Sequence, residues 1–437
     1  MNVNTQLDSK TKFVSPKTAS VPRIKILLAD TDRRPYTPRL AMAFVAAGCE
    51  VSAVCTSHNP INAIKARPQL FPYSAVRPKQ SLLHAIQSVN PDLIVPCDDR
   101  AVLHLQQLCG QTGLSASVVK VIERSLGPSG SYPVVSARYP LLELAREQGI
   151  NVPATQYIQT SQDLEEWREK QPLPWVLKAD GTWGGGGVRI VNAAKQVDGL
   201  FRTLSQPCTL RRAVKRLMIN RDPFYMRDWW QKNSRALIAQ AMVTGRPANC
   251  AVACWEGQVL AQINVEVLAT LFPTGPAKIV RMIDNPEMTY AAKSIAQKLQ
   301  LSGFFGLDFI IDDKTKATYL IEMNPRCTPL SHIQLGPGIG LIPALYAALV
   351  NHPLSTRTCS PATRVGEAIA YFPQAHDSEG EFNGPTFYDF PNDEPQLTDA
   401  LLHPYPEKTL LYRIVDQMSS YRDWMLSYTA FRHFFRA

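Results

Sequence analysis

Two apolar segments separated by a short polar tract are the feature that most constrains the fold of this chain. Residues 303–311 are Gly-Phe-Phe-Gly-Leu-Asp-Phe-Ile-Ile, and residues 319–326 are Tyr-Leu-Ile-Glu-Met-Asn-Pro-Arg. The tract between them, Asp-Asp-Lys-Thr-Lys at residues 312–316, has a composition suited to a turn. The β-favouring residues on both sides therefore predict two antiparallel strands of a hairpin.

Three polar side chains on these strands predict a metal site. Asp308 is on the first strand, and Glu322 and Asn324 are two residues apart on the second. Because alternate residues of a strand share a face, the three can project from one side of the hairpin. Such hard oxygen ligands suit Mg²⁺, which also takes water and nucleotide phosphates as ligands. Either carboxylate alone would be a surface group beside a turn, but the pair in phase with Asn324 and Arg326 favours a metal site.

A glycine-rich loop lies upstream, between two further apolar segments. Lys178 comes at the end of an apolar strand, glycines follow at positions 181 and 184–187, and an apolar strand resumes at Val188. Backbone N–H groups of such a loop can close over an anion, and Lys178 could reach the same phosphates. The lysine precedes the glycines, which excludes a Walker loop, and no helix opens at Gly187, which excludes a dinucleotide fingerprint. Taken alone, the glycines could be only a flexible loop.

Together these residues resemble the ATP-grasp superfamily of ATP-dependent ligases, and the resemblance extends over most of the chain. It implies a mixed α/β and α+β fold, with an N-terminal parallel-sheet (pre-ATP-grasp) domain, a two-lobed ATP-grasp domain and a C-terminal extension. Within the superfamily, the chain looks closest to single-chain carboxylate–amine or thiol ligases and to the ATP-binding domain of carbamoyl-phosphate synthase.

The resemblance also implies roles for individual residues. Lys178 is similar to the family's phosphate-contacting lysine, and Asp308, Glu322 and Asn324 match its metal ligands. Arg326 matches the arginine that many members direct at the transferred phosphoryl group. Pairing of Arg326 with Glu322 or Asp308, merely to balance charge, is the alternative. The loop over the triphosphate corresponds to Gly184, Gly185, Gly186 and Gly187, and the hinge strand that binds adenine to Gln240, Ala241 and Met242.

Two positions depart from the family pattern. Arg138 is found where the family usually has a second nucleotide-binding lysine, so the charge is kept but the contact geometry changes. Asn249 follows the hinge where a ribose-binding glutamate is common, and its side chain could accept a hydroxyl hydrogen bond. Both residues are predicted to bind the nucleotide.

The activity that the resemblance implies is an ADP-forming ligase. A small-molecule carboxylate would be activated as an acyl phosphate and joined to an amine or similar nucleophile, with ATP and Mg²⁺ (or Mn²⁺) as cofactors. Two alternatives stay open: a kinase-like enzyme that stops at a phosphorylated product, and a non-catalytic ATP-binding or membrane-associated scaffold. The complete set of metal ligands argues against a scaffold.

Domain organisation follows from the pattern of elements. Alternating strands and helices near the N-terminus predict a parallel sheet. Asp98, Asp99 and Arg100 follow one of its strands, where they could face a substrate or cap the helix that begins at Ala101. The predicted units are a disordered leader (1–20), an N-terminal α/β domain (21–135), a small ATP-grasp subdomain (136–243), a large ATP-grasp subdomain (244–355) and a C-terminal extension (356–437).

Charge and composition narrow the choice of partners. The net charge is +9, and the basic segment 202–221 is interpreted as a solvated face or a lid for an anionic substrate, because no nucleic-acid-binding motif accompanies it. The basic, aromatic segment 412–435 could form a final helix, a dimer contact or, less favourably, a membrane contact. We therefore expect small acid and amine substrates, no nucleic acid, and either a monomer or a homodimer.

Cysteine usage and the termini favour a cytoplasmic protein. The chain has 9 cysteines, an odd number, and no C-x-x-C pair, so reduced thiols in apolar strands are expected. Neither a membrane span nor the apolar core of a secretory signal is apparent.

Overall fold

The computed structural model describes residues 23–179, 187–220, 224–231, 237–272, 275–336, 338–350, 364–376 and 386–403. The predicted leader and the aromatic segment 412–435 lie outside these residues.

The N-terminal part is a parallel sheet flanked by helices, as predicted. Its strands are β1 (Lys25–Asp30), β2 (Glu50–Cys55), β3 (Gln69–Pro72) and β4 (Leu93–Pro96), in the order β3-β2-β1-β4. Its helices are α1 (Thr37–Ala46), α2 (Pro78–Val89), α3 (Asp99–Cys109), α4 (Ala116–Leu126) and α5 (Tyr132–Val135). Short 3₁₀ turns occur at Pro60–Ala63 and Ser129–Ser131. Buried apolar residues of β1, β2 and β4 form the centre of this unit.

A small antiparallel sheet follows helix α6 (Arg138–Glu147). Its strands are β5 (Thr155–Ile158), β6 (Trp175–Ala179), β7 (Val188–Val191) and β8 (Leu237–Ala241), in the order β5-β8-β6-β7. The helices of this lobe are α7 (Ser161–Lys170), α8 (Val197–Ser205), α9 (Leu210–Asn220) and α10 (Phe224–Gln231), with a 3₁₀ turn at Ala194–Gln196. The basic segment therefore lies mainly on α9. There Arg212 and Arg216 lie over the ring of Tyr225, so this face is partly packed.

A seven-stranded sheet forms the large lobe. Five of its strands are β9 (Gly245–Trp255), β10 (Gln258–Thr270), β11 (Ala277–Met282), β12 (Gly303–Asp312) and β13 (Thr318–Asn324). A small hairpin, β14 (Gln334–Gly336) with β15 (Ile339–Gly340), precedes the two remaining strands, β16 (Ala368–Tyr371) and β17 (Thr386–Asp389). The sheet order is β13-β12-β9-β10-β11-β16-β17. The helices are α11 (Pro286–Leu299), α12 (Leu341–Leu349) and α13 (Pro395–Leu402).

The predicted hairpin is formed by β12 and β13. Asp312 closes its turn by accepting hydrogen bonds from the backbone N–H groups of Lys314 (2.9 Å) and Thr315 (2.7 Å). Alternate residues of β12 pack into two different cores, with Phe305 and Leu307 on the side of α11 and Phe304 on the side of α1 and α12. Strand β12 is therefore buried on both faces, which explains its nearly continuous apolar sequence.

The C-terminal strands complete the large sheet and also contact the N-terminal unit. Asp389, at the end of β17, accepts hydrogen bonds from Nη2 of Arg39 on α1 (2.6 Å) and makes a 2.8 Å contact with Nε2 of His332. Its backbone carbonyl accepts from Nη1 of Arg39 at 2.9 Å. Asp389 is 3% exposed, so a single buried carboxylate joins three distant parts of the chain.

The cysteines of the described residues are free thiols. Seven of these eight are buried, and Cys109 is half-buried. No helix in the described part of the chain combines the length and apolar character needed to cross a membrane.

Candidate active site

The β12–β13 hairpin aligns the predicted metal ligands. Asp308 is directly opposite Glu322, and Gly306 is opposite Asn324. Because Phe309 pairs with Leu320, Ile321 is an extra residue beside the Asp308–Glu322 pair. Such bulges often occur beside active sites, where they redirect side chains. Directly opposed residues share one face of the sheet, so the structure brings both predicted carboxylates together.

Asp308 is surrounded by polar partners. Its Oδ1 accepts a hydrogen bond from Nδ2 of Asn249 at 2.6 Å, and its Oδ2 accepts from Nδ2 of Asn324 at 3.0 Å. Desolvation, followed by repulsion from Glu322, raises the pKa of Asp308 to about 6, although the two amides act in the opposite direction. Asn249, predicted as a ribose contact, is placed here against Asp308.

These residues fit a divalent cation. Two carboxylates, Asp308 and Glu322, face each other on the hairpin, and a bound ion would relieve the repulsion that helps to raise the pKa of Asp308. The oxygen of Asn324 accepts from Arg326, but a carbonyl oxygen has a second lone pair for a metal. No group of three or more His, Cys, Asp or Glu side chains in the described ranges could hold a metal. An ion here would need water and phosphate oxygens to complete its shell, as Mg²⁺ prefers.

Two cations from the small lobe reach this hairpin. Lys178, near the end of β6, is 5% exposed and donates from Nζ to the carbonyl of Ile321 at 3.3 Å. Arg138, the first residue of α6, donates from Nη2 to Oε1 of Glu322 at 2.7 Å and from Nη1 to the carbonyl of Ala179 at 3.2 Å. Both predicted phosphate contacts thus lie between the metal ligands and the start of the glycine-rich loop.

The glycine-rich loop itself is only partly described. Gly184, Gly185 and Gly186 lie outside the described residues. Gly187 accepts a hydrogen bond from the backbone N–H of Ala179 at 2.9 Å. Strands β6 and β7 pair on either side of the loop, as predicted.

The predicted adenine-binding residues lie at the end of β8. Gln240 is 2% exposed and donates from Nε2 to the hydroxyl of Thr155 at 3.2 Å. The backbone N–H groups of Ala241 and Met242 donate to the carbonyls of Ala154 (2.8 Å) and Pro174 (3.3 Å). Their amides are thus engaged within the protein, and their contact with a base stays a prediction.

Arg326 differs in one respect from the prediction. Strand β13 ends at Asn324, because Pro325 cannot donate a ladder hydrogen bond, so Arg326 lies just beyond the strand and not on it. Its guanidinium nevertheless stays at the metal face, since Nη2 donates to Oδ1 of Asn324 at 3.0 Å. Its Nε donates to Oδ1 of Asp99 at 2.9 Å. Pairing of Arg326 with Glu322 or Asp308 is not found, and Glu322 pairs with Arg138 instead.

The polar residues at the end of strand β4 include the predicted helix cap, whereas their contact with a substrate stays a prediction. Asp98 caps α3, since its Oδ1 accepts from the backbone N–H of Ala101 at 2.9 Å. Asp99 faces Arg326, and Arg100 donates from Nη2 to Oδ1 of Asp32 at 2.5 Å. The sequence signal for these residues was their position at the carboxyl end of a parallel strand. No local signal identified their partners, Arg326 and Asp32, which lie far away in the chain.

Comparison with known proteins finds a matching domain family and similar solved structures. The ATP-grasp domain family model matches residues 216–329. Sequence comparison with curated proteins finds no match. N5-carboxyaminoimidazole synthetase from Staphylococcus aureus, complexed with ADP, superposes with a TM-score of 0.54 at 14% identity, over 76% of this chain and 79% of that chain.

Two further solved structures are similar over comparable lengths. Carboxyaminoimidazole ribonucleotide synthase from Aspergillus clavatus, complexed with ATP, gives a TM-score of 0.56 at 13% identity, over 77% of this chain and 79% of that chain. The biotin carboxylase domain of 2-oxoglutarate carboxylase from Hydrogenobacter thermophilus, with MgADP, ADP and bicarbonate, gives 0.55 at 15% identity, over 78% and 72%. At such identities the similarity establishes the fold.

Residues 216–329 therefore match an ATP-grasp domain, and the chain has the fold of the solved carboxyaminoimidazole ribonucleotide synthetases described above. The predicted fold class is thereby confirmed.

Proposed function

We propose that the protein is an ATP-dependent ligase that activates a small-molecule carboxylate as an acyl phosphate and joins it to an amine or similar nucleophile, releasing ADP and phosphate. The observation that carries the proposal is the meeting of Lys178, Arg138 and the Asp308–Glu322 pair at one end of the glycine-rich loop. Cations, carboxylates and loop amides are the groups that phosphoryl transfer requires, because catalysis there depends on positioning and charge stabilisation.

Each residue of the site has a distinct task in this mechanism. Asp308 and Glu322, with Asn324, would hold Mg²⁺, and the ion would neutralise charge between the phosphates and the transferred group. Lys178 and Arg138 would bind phosphate oxygens from the side of the small lobe. In this structure Lys178 contacts the backbone carbonyl of Ile321, next to Glu322, and Arg138 contacts the carboxylate of Glu322 itself.

Arg326 would act on the acceptor side. Its guanidinium lies next to Asn324 and is oriented by Asp99, so it faces the point where the metal site meets the N-terminal sheet. A fixed guanidinium there stabilises negative charge on an acyl phosphate as it forms and collapses.

Screening ADP release tests this function. The full chain is incubated with MgATP and pooled carboxylic acids, with and without pooled amines and amino acids, and the product of any active pair is identified by mass spectrometry. ADP release that needs both an acid and an amine, together with a condensed product, supports the ligase. A stable phosphorylated metabolite formed without a second substrate would support the kinase-like alternative. Absence of ADP release in all pools, with MgATP bound, would contradict both.

A further inference from the structure

Arg34 is a half-buried cation whose hydrogen-bonding capacity is only partly used. Its side chain is 26% exposed and is ion-paired through Nη2, without a hydrogen bond of good geometry to another residue in the described part of the chain. The nearest carboxylate oxygens belong to Asp32 (3.3 Å) and Asp99 (3.9 Å). Its Nε is buried and has no partner among the described residues. Asp32 and Asp99 balance the charge of Arg34 through Nη2, but a buried N–H group without a partner is costly, so the unpartnered Nε calls for an explanation.

The backbone that carries Arg34 is held firmly. Asp30, fully buried at the end of β1, accepts hydrogen bonds from the backbone N–H groups of Asp32 and Arg34, each at 3.0 Å. It also accepts from the hydroxyl of Thr37 at 2.6 Å and from Nδ2 of Asn59 at 2.8 Å. The backbone position of Arg34 is thus fixed by surrounding hydrogen bonds, as it is for residues of a preorganised binding site.

Arg34 lies beside the candidate active site. Asp99 joins it to Arg326, because Oδ1 of this carboxylate accepts from Nε of Arg326 at 2.9 Å while Oδ2 is 3.9 Å from Nη2 of Arg34. Two guanidiniums therefore meet at one carboxylate, and donors that Asp99 and Asp32 do not use remain for an anionic group of a substrate. Arg326 faces Asn324 and the metal ligands, whereas Arg34 lies on the N-terminal side of Asp99.

We propose that Arg34 binds a second carboxylate of the acid substrate, one that does not react. The acid would then carry at least two carboxylates: Arg326 meets the one that becomes the acyl phosphate, and Arg34 the other. The planar fork of a guanidinium matches a carboxylate with two parallel hydrogen bonds. This inference rests on the proposed function, since it names the class of acid that the ligase uses.

Ligand-dependent thermal unfolding tests the site without ATP. Malonate, succinate and glutarate are compared with the monocarboxylates of the same chain length, which are propionate, butyrate and valerate. Inorganic phosphate is a further comparison, and the ionic strength is held constant. The full chain is compared with Arg34→Met, with Arg34→Lys and with Arg23→Met. Arg23 is a matched control, because it is exposed and lies just before β1, at the opposite end of that strand.

We expect at least one dicarboxylate to raise the Tm of the wild type and of Arg23→Met by about 2 °C or more beyond its monocarboxylate partner. This extra shift should disappear in Arg34→Met and decrease in Arg34→Lys, which keeps the charge but loses the fork. Without ligand, the Tm of Arg34→Met should equal or exceed that of the wild type, since an unsatisfied cation is removed.

Three results would overturn the inference. One is equal shifts in the wild type and in Arg34→Met, and another is phosphate replacing the dicarboxylates as the stabilising anion. The third is a Tm of ligand-free Arg34→Met several degrees below the wild type, which would make Arg34 a structural support for Asp32 and Asp99. The thermal experiment contains no ATP, so its result does not depend on turnover. If a dicarboxylate raised the Tm through Arg34 while the protein released no ADP in the screen, the ligase function would be contradicted but the anion site would stand.

Discussion

Arg326 donates a hydrogen bond from Nε to Oδ1 of Asp99 at 2.9 Å, and this contact links the end of the β12–β13 hairpin to the first residue of helix α3. Burial alone lowers the pKa of Arg326, but Tyr36 and Asp99 outweigh it, and the net pKa is raised. The guanidinium is therefore permanently charged and held in one direction. A helix residue of the N-terminal unit thus orients a residue of the ATP-grasp domain.

Arg326→Lys should depress kcat by about 10- to 100-fold and leave ATP affinity within about twofold, because an ammonium keeps the charge but cannot reproduce the two parallel hydrogen bonds of a guanidinium.

Asp99→Asn should give a smaller loss of kcat than Arg326→Lys, since it weakens the orientation of Arg326 without removing the guanidinium. Steady-state kinetics and calorimetric titration with a non-hydrolysable ATP analogue separate the two quantities. Arg364→Lys, at a surface ion pair with Glu367, serves as the control. Loss of nucleotide binding with normal turnover at saturation would make Arg326 a support for the metal site.

Glu322→Ala should reduce turnover by at least about a hundredfold, equivalent to about 2.7 kcal/mol of transition-state stabilisation, because it removes a metal ligand and leaves Arg138 without its carboxylate. The rate of ADP release is measured as a function of Mg²⁺ concentration. Asp313→Ala, an exposed carboxylate in the turn of the same hairpin, should keep wild-type behaviour. Full activity of Glu322→Ala with unchanged Mg²⁺ dependence would disprove the assignment.

Lys178→Ala should weaken binding of ATP by about tenfold, or about 1.4 kcal/mol, since it removes a buried cation beside the phosphates. Isothermal titration of the variant gives the affinity directly. Arg189→Ala is the matched control, because Arg189 is exposed on β7, the neighbouring strand. If both variants bound ATP like the wild type, Lys178 would have no part in nucleotide binding.

The buried thiols should resist modification in the folded protein. Burial raises the pKa of Cys49 and Cys55 to about 12 and raises that of Cys250 as well, so almost no thiolate exists at pH 8. A short reaction with iodoacetamide, followed by peptide mapping, should leave these cysteines unmodified until denaturant is added. Rapid labelling of Cys250 in the native protein would show that the core opens readily.

Asp389→Ala should destabilise the fold by about 3 kcal/mol, because Arg39 and His332 lose the buried carboxylate that they share. Urea denaturation followed by fluorescence should show an earlier transition. Asp399→Ala is the control, since Asp399 pairs with His403 at the surface, where its side chain is 77% exposed. Equal midpoints for the two variants would mean that the contacts of Asp389 add little to stability.

Much of the fold was predictable, because strands, helices and turns leave patterns in residues that are close together in the sequence. The alternation of apolar strands and helices predicted the N-terminal parallel sheet, and the turn composition at residues 312–316 predicted the hairpin. Strand β3 was missed, since four residues ending in proline carry no clear alternation.

The sequence by itself determined which residues of the hairpin could face one another, because strand pairing with a period of two places Asp308 and Glu322 on the same side. It could not determine which charges from distant segments would meet them. Only the tertiary structure brought Arg138 to Glu322 and Asp99 to Arg326, across separations of 184 and 227 residues. These contacts depend on how separately folded sheets pack together, and charged side chains with long, flexible stems leave no periodic signal of that packing in the sequence.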